Sequence, residues 1–232
     1  MSSDNKVWIS VSDIMTGLMM VFLFISLVFM RQVASEKQAV ESIAVAYKSQ
    51  REDLYISLIA EFKDDLANWN AEILDDTTVR FNEPDVLFDA GSKEIKVRFK
   101  SILIEFFPRY IKVLYGENFR DIIEEVRIEG HTSSSWEGSR DFQERYLNNA
   151  LLSQQRSFSI LEYCFALPQI GEQRAWLTKV LRANGLAFAN PILIAGSEDE
   201  SRSRRVEFKV KTKADEKIHE ILKTFHNPEA QA

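Results

Sequence analysis

One carboxylate stands out by position. Asp13 borders residues 14–30, IMTGLMMVFLFISLVFM, seventeen positions without a charge. A carboxylate held in hydrocarbon costs about 2.5–3.5 kcal/mol near mid-membrane and less towards an edge. Low dielectric favours the neutral carboxyl, so a group poised between the two states can load and release a proton or cation against a partner helix. A single span cannot form a pore alone, so this reading requires partner subunits. The other reading starts the buried helix at Ile14 and leaves Asp13 at the membrane surface. The residues alone leave both open.

The remaining reactive side chains point away from catalysis. The single cysteine, Cys164, lies among Ile160, Leu161, Phe165 and Leu167, the setting of a buried, inert thiol. His131, His219 and His226 are far apart without the pairing a zinc site uses, so no metal is expected. Ser153 has no histidine close in sequence, and no phosphate loop or nucleophile elbow occurs, which argues against an enzyme and against a bound cofactor. The 29 Lys+Arg against 35 Asp+Glu, a net charge of −6, disfavour a nucleic-acid binder. At 232 residues, 45% hydrophobic and 28% charged, the chain has the composition of a folded protein.

The elements that must position these residues start with a membrane span. Counting back over Val7, Trp8, Ile9 and Val11 gives about two dozen residues, roughly 36 Å of helix, enough for a hydrocarbon core of about 30 Å. Trp8 stands where an interfacial aromatic belongs, and Arg31 closes the far end. The expectation is a short N-terminus over 1–6 and a retained transmembrane helix over 7–31. A core helix rarely stays apolar on all faces. A cleaved signal peptide would use Val33-Ala34-Ser35, but the leading MSSDNK is weakly charged and Arg31 intervenes. Orientation is not set by charge, since Asp4 offsets Lys6 and both Arg31 and Lys37 follow the span.

Residues 33–74 contain no Gly or Pro, and residues 32–75 are expected to form a helical linker. Val33, Val40, Tyr47 and Leu54 recur every seven residues, and Leu58, Phe62, Leu66, Trp69 and Ile73 continue the stripe in steps of three and four. Pairing with a twin helix and packing on the following domain explain this equally well. Beyond Thr77 strands and helices interleave. Strands are expected at 77–81, 86–88, 126–129, 192–194 and 206–210. Helices are expected at 95–115 (kinked or divided at Pro108), 147–165, 172–183 and 215–225. This pattern implies an α/β sandwich with helices covering one sheet.

Four short phrases make the pattern specific. Leu87-Phe88-Asp89-Ala90-Gly91-Ser92 precedes a helix, and Ile128-Glu129-Gly130-His131-Thr132 ends a strand. Asn149-Ala150-Leu151-Leu152-Ser153-Gln154-Gln155-Arg156 opens a helix, and Arg204-Arg205-Val206-Glu207-Phe208 belongs to a late strand. In this order they resemble the OmpA-like peptidoglycan-binding domain over residues 76–212, with a C-terminal helix and tail over 213–232. Ser12-Asp13-Ile14-Met15-Thr16, with Met19 and Met20 following, resembles the span of MotB-type stator subunits. The opening Trp8-Ile9-Ser10-Val11-Ser12-Asp13-Ile14-Met15-Thr16 is closer to the ZorB family of Zorya anti-phage systems than to flagellar MotB, whose N-terminus is usually strongly basic.

The resemblance implies a single-pass inner-membrane protein with a cytoplasmic N-terminus and a periplasmic domain. It implies an ion-carrying Asp13 and a homodimer within a pentameric MotA/ZorA-like ring, a 5:2 assembly driven by protons or sodium and coupled to cytoplasmic effectors. Peptidoglycan would be held by Asn148, Asn149, Leu152, Arg156, Ser133 and Arg204. The stem peptide carries amine and carboxylate together, so a guanidinium fork suits one and a carboxylate the other. The family's carboxylate after His-Thr is Ser133 here. Either the site is weakened or Asp141 or Glu144, from the longer segment 134–146, takes that role. Readings without the resemblance make Arg156 a surface ion pair, Asn149 a helix-start residue, Leu152 core, and Arg204 part of a solvated face. The competing functions are a flagellar-type stator B subunit and a membrane-to-wall tether without ion flux.

Overall fold

The computed structural model describes residues 3–82 and 84–213, with side chains from Asp13 onward except at 39, 42–44, 46, 47, 84 and 85. The side chain of Trp8 and the helix expected at 215–225 lie outside the described residues. The chain divides into two compact units, Met1–Tyr47 and Lys48–Ala232.

The first unit is helical, formed by the N-terminal part of α1 (Ser3–Phe62). Its stretch Asp13–Gln38 spans 26 residues at a mean hydropathy of 2.2, none of it buried by protein. Leu18, Met19, Met20, Val21 and Phe22, consecutive positions that together go round the whole helix, each expose more than half their surface. That length and composition suffice to cross a membrane, and an apolar surface on all faces needs a non-aqueous cover.

In the second unit the end of α1 joins a soluble core. Leu54, Leu58 and Phe62, in helical steps of four, are fully buried. The helix stops where Asp64 and Asp65 place acidic charge at its carbonyl end, an unfavourable meeting with the helix dipole. Arg109 from α4 (Val97–Leu114) secures this terminus. Its Nη2 donates to the Glu61 carbonyl at 2.6 Å, Nε to the Glu61 carboxylate at 2.6 Å and Nη1 to Asp65 at 2.8 Å. Its guanidinium also lies 4.9 Å from the centre of the Phe62 ring. Trp69 and Ile73, placed on the same stripe by the sequence, instead belong to a short helix α2 (Leu66–Trp69) and a strand β1 (Ala71–Ile73). Asn70 makes the break, in the left-handed region at φ 46°.

The sheet adds β2 (Val79–Phe81), β3 (Ile123–Gly130), β4 (Leu181–Gly185) and, at the end of the chain, the strand Val206–Thr212. A small exposed hairpin, β5 (Leu193–Ile194) with β6 (Ser197–Glu198), precedes that last strand, which is therefore β7. The five-stranded order is β1-β2-β7-β3-β4, antiparallel except for β3 with β4. Val206, Phe208 and Val210 alternate inward with Val126 and Ile128. α4 and α5 (Phe142–Phe165) cover that face. Phe62, Phe81, Phe106, Tyr110 and Phe208 form one aromatic cluster, with ring centres 5.0–5.9 Å apart. The α/β sandwich is the expected architecture.

Several local expectations change. Residues 86–88 are not a strand: α3 (Pro84–Leu87) takes most of them, and Phe88 only bridges to Ile95. Pro108 does not divide α4, because Phe106, Phe107, Tyr110 and Ile111 on either side are all fully buried and hold the axis. The helix at 172–183 is shorter, α6 (Arg174–Val180), and passes directly into β4. Leu193 and Ile194 are exposed rather than core, at 60% and 52%.

Candidate functional site

The second unit carries a cavity of about 570 Å³ at the end of β3, walled by the loop 87–91, the loop 130–137, α5 and the start of β7. Close packing of α5 onto the strand ends sets its shape. A methyl at Gly130 would lie 2.5 Å from the Ser153 carbonyl oxygen, and one at Gly185 would collide with the backbone of Gln154. Gln154 returns both ends of its amide to β4, accepting from Gly185 N at 2.8 Å and donating to the Ala183 carbonyl at 3.2 Å. Ser153 Oγ accepts from Ala187 N at 3.0 Å and donates to the Ala150 carbonyl at 3.0 Å. That hydroxyl is a structural clamp.

With α5 held this way, Asn149, Leu152 and Arg156 share one face at i, i+3 and i+7, and all three line the cavity. Ser133 and Arg204 line it too, whereas Asn148 is half-buried outside it. Arg156 is buried, its guanidinium 4.8 Å from the centre of the Phe88 ring. Nε donates to the Ser92 carbonyl and Nη2 to the Asp89 carbonyl, each at 2.8 Å. The Phe88–Ser92 loop is thus wrapped on Arg156, turned by Gly91 at φ 66°. Of the expected fork only Nη1 has no protein acceptor among the described residues. Burial, and then the charge of Arg204, bring the Arg156 pKa down to about 10. Two guanidiniums held close against their repulsion form an anion-seeking end.

Ser133 lines the cavity but brings no charge to it. It is buried and 2.9 Å from Ser135 Oγ, which donates to Glu200 at 2.8 Å. Asp141 and Glu144 do not replace the missing acid either. Asp141 caps α5 by accepting from Glu144 N at 2.8 Å, and Glu144 accepts from Arg140 N at 3.0 Å. These bonds cap a helix that begins five residues before its expected start at 147. Asn149 donates to the Ser135 and Arg145 carbonyls at 3.2 and 3.1 Å, fixing the loop rather than starting a helix.

Sequence reasoning did not single out Phe88, Trp136, Glu137 or Arg205 as lining residues. The Phe88 phrase was visible as a motif, but its wrapping on Arg156 is long-range. Arg205 sits in an ionic strut on the sheet's far face. Glu207 accepts from Arg80 at 2.8 Å and Arg205 at 2.6 Å, while His131 Nε2 lies 3.4 Å from Glu207 and 3.9 Å from Glu129. Burial alone would raise the Glu207 pKa, yet His131 and Arg205 outweigh it and hold the carboxyl far below its usual range. Glu129 moves upward, chiefly through burial. Glu129, His131 and Glu207 have metal-ligand types within 4.8 Å of one another. However, Arg80, Arg205, Arg127 and Lys209 already surround the two carboxylates with cations, which suits a strut rather than a divalent ion.

No family model matches the chain. It is 47% identical over 221 residues to the Zorya protein ZorB of Escherichia coli strain Crooks, covering 94% of this chain and 93% of that protein. The chain belongs to the ZorB family. Among solved structures, a MotB-like protein from Desulfovibrio vulgaris matches with a TM-score of 0.51 at 21% identity, covering 72% of this ZorB-family chain and 94% of that one. The cell wall anchor of the T6SS from Pseudomonas aeruginosa matches at 20% identity with a TM-score of 0.46, over 67% of this chain and 97% of that one. The match to the MotB-like structure agrees with the fold expected from the four phrases.

Proposed function

We propose that this ZorB-family chain is a stator-like subunit of an ion-driven inner-membrane motor that anchors to peptidoglycan and acts in anti-phage defence. The observation that carries the reading is near-full-length similarity to a ZorB, with Asp13 bordering the apolar run of α1. In this reading the N-terminus is cytoplasmic and the sandwich periplasmic. Two copies sit within five MotA/ZorA-like subunits, and Asp13 exchanges protons or sodium with that ring. The resulting rotation or strain passes to cytoplasmic effectors. In the cavity, a stem-peptide carboxylate lies between Arg156 Nη1 and Arg204, and Leu152 packs on its aliphatic part.

A phage-plaquing assay with the genomic neighbours tests this, comparing wild type, Asp13→Asn and Arg156→Ala at matched membrane abundance. Protection lost in Asp13→Asn supports ion transfer. Protection retained in Asp13→Asn rejects it and leaves the membrane-to-wall tether. Protection lost in Arg156→Ala, with the chain still folded, supports wall anchoring.

A further inference from the structure

The cavity has an evident cationic end, but its anionic end is not where the sequence pattern looks for it. Of the carboxylates around it, Asp89 pairs with Lys96 at 2.8 Å. Glu198 accepts from Ser134 N at 3.1 Å, and Glu200 accepts from Ser135 and pairs with Arg204. Asp141 and Glu144 close the α5 cap. Glu137 lines the cavity and forms no hydrogen bond or ion pair among the described residues.

The loop that carries Glu137 is held at several points. Glu198 and Glu200 grip it at Ser134 and Ser135, and Asn149 binds the Ser135 carbonyl. Beyond these, Ser139 N and Oγ both donate to the Trp136 carbonyl, at 3.4 and 3.0 Å, around Gly138 at φ 78°. Glu137 is thus the second residue of a tight turn whose third position requires glycine. The turn fixes the backbone that presents the exposed Glu137 side chain at the cavity rim, so binding has only that side chain left to order. We propose that Glu137 is the acceptor for the ligand's ammonium group, replacing the carboxylate that position 133 lacks. The ligand class is an amino-acid end bearing both ammonium and carboxylate, as in a diaminopimelate stem. The inference rests on the wall-binding reading above.

The test is retention of the full-length, detergent-solubilised chain on purified diaminopimelate-type sacculi, untreated or N-acetylated to remove the free amines. Glu137→Gln is expected to bind untreated sacculi about tenfold more weakly than wild type, and Glu137→Asp to recover part of the loss. On acetylated sacculi wild type is expected to fall to the Glu137→Gln level, and the variant to lose nothing more. Wild type and Glu137→Gln retained equally on untreated sacculi, with Arg156→Ala released, would sink the Glu137 assignment and leave wall binding standing. Wild type failing to bind at all would overturn both.

Discussion

At the scale of single residues, Arg156 and Glu207 show how the same charge types serve different ends. Arg156 holds the Phe88–Ser92 loop through two carbonyls and keeps Nη1, with its two N–H groups, for the cavity. Arg156→Lys has no planar fork, so it is expected to release the loop as well as the ligand. Glu207 belongs to the strut, and its depressed pKa has a defined consequence. Its stabilisation is present above the unfolded value near 4.5 and disappears as pH falls through the lower folded value. Glu129 works the other way, since its raised pKa makes the ionised form costly at neutral pH and acid relieves that cost. Glu207→Gln is therefore expected to destabilise the unit by about 3 kcal/mol at pH 7 and to flatten its loss of stability below pH 4.5. Thermal melts of the full chain in detergent at pH 7, 5 and 3 measure this. A melting point unchanged at pH 7 would contradict it.

At the scale of elements, the register between α5 and the β3 and β4 ends governs the cavity. Gly130 and Gly185 permit that approach, and neither needs a positive φ for it. A methyl at either position must push the helix away, because the neighbour is backbone rather than a flexible side chain. Gly130→Ala and Gly185→Ala are each expected to cost about 1–3 kcal/mol. Retention on sacculi should weaken in step with stability, since Asn149, Leu152 and Arg156 ride on the displaced helix. A pair of melts and pull-downs checks it; full stability in both variants would show that the helix is not tightly seated. The cap formed by Asp141 and Glu144 has a related role, extending α5 back towards the loop that carries Glu137.

At the scale of the whole molecule, the proposed topology places the sandwich outside the inner membrane. Cys164 is buried, so a cysteine introduced at the exposed Glu105 gives one accessible thiol. In cells with a permeabilised outer membrane, Glu105→Cys is expected to react with a membrane-impermeant maleimide without lysis. Labelling only after inner-membrane rupture would reverse the orientation.

Much of this protein can be read from its sequence, and each readable part has a local cause. The apolar run at 14–30 and the acid at Asp13 are properties of consecutive residues, as is the α5 face at i, i+3 and i+7. Four ordered phrases specified the sandwich because each combines a turn or strand end with the residues next to it. The sequence pattern misplaced Trp69 and Ile73 because a periodic stripe does not show where Asn70 turns the backbone. It made Leu193 and Ile194 core because three apolar residues look alike in a core and in an exposed hairpin. It also looked for the missing carboxylate at Asp141 and Glu144, which are near in sequence but engaged in the helix cap. Which guanidinium nitrogen of Arg156 remains open and which glycines admit the helix depend on residues far apart in sequence, Arg156 with Ser92 and Asp89, Gly130 with Ser153 and Gly185 with Gln154. Those outcomes come from packing between elements, and only the tertiary structure decides them.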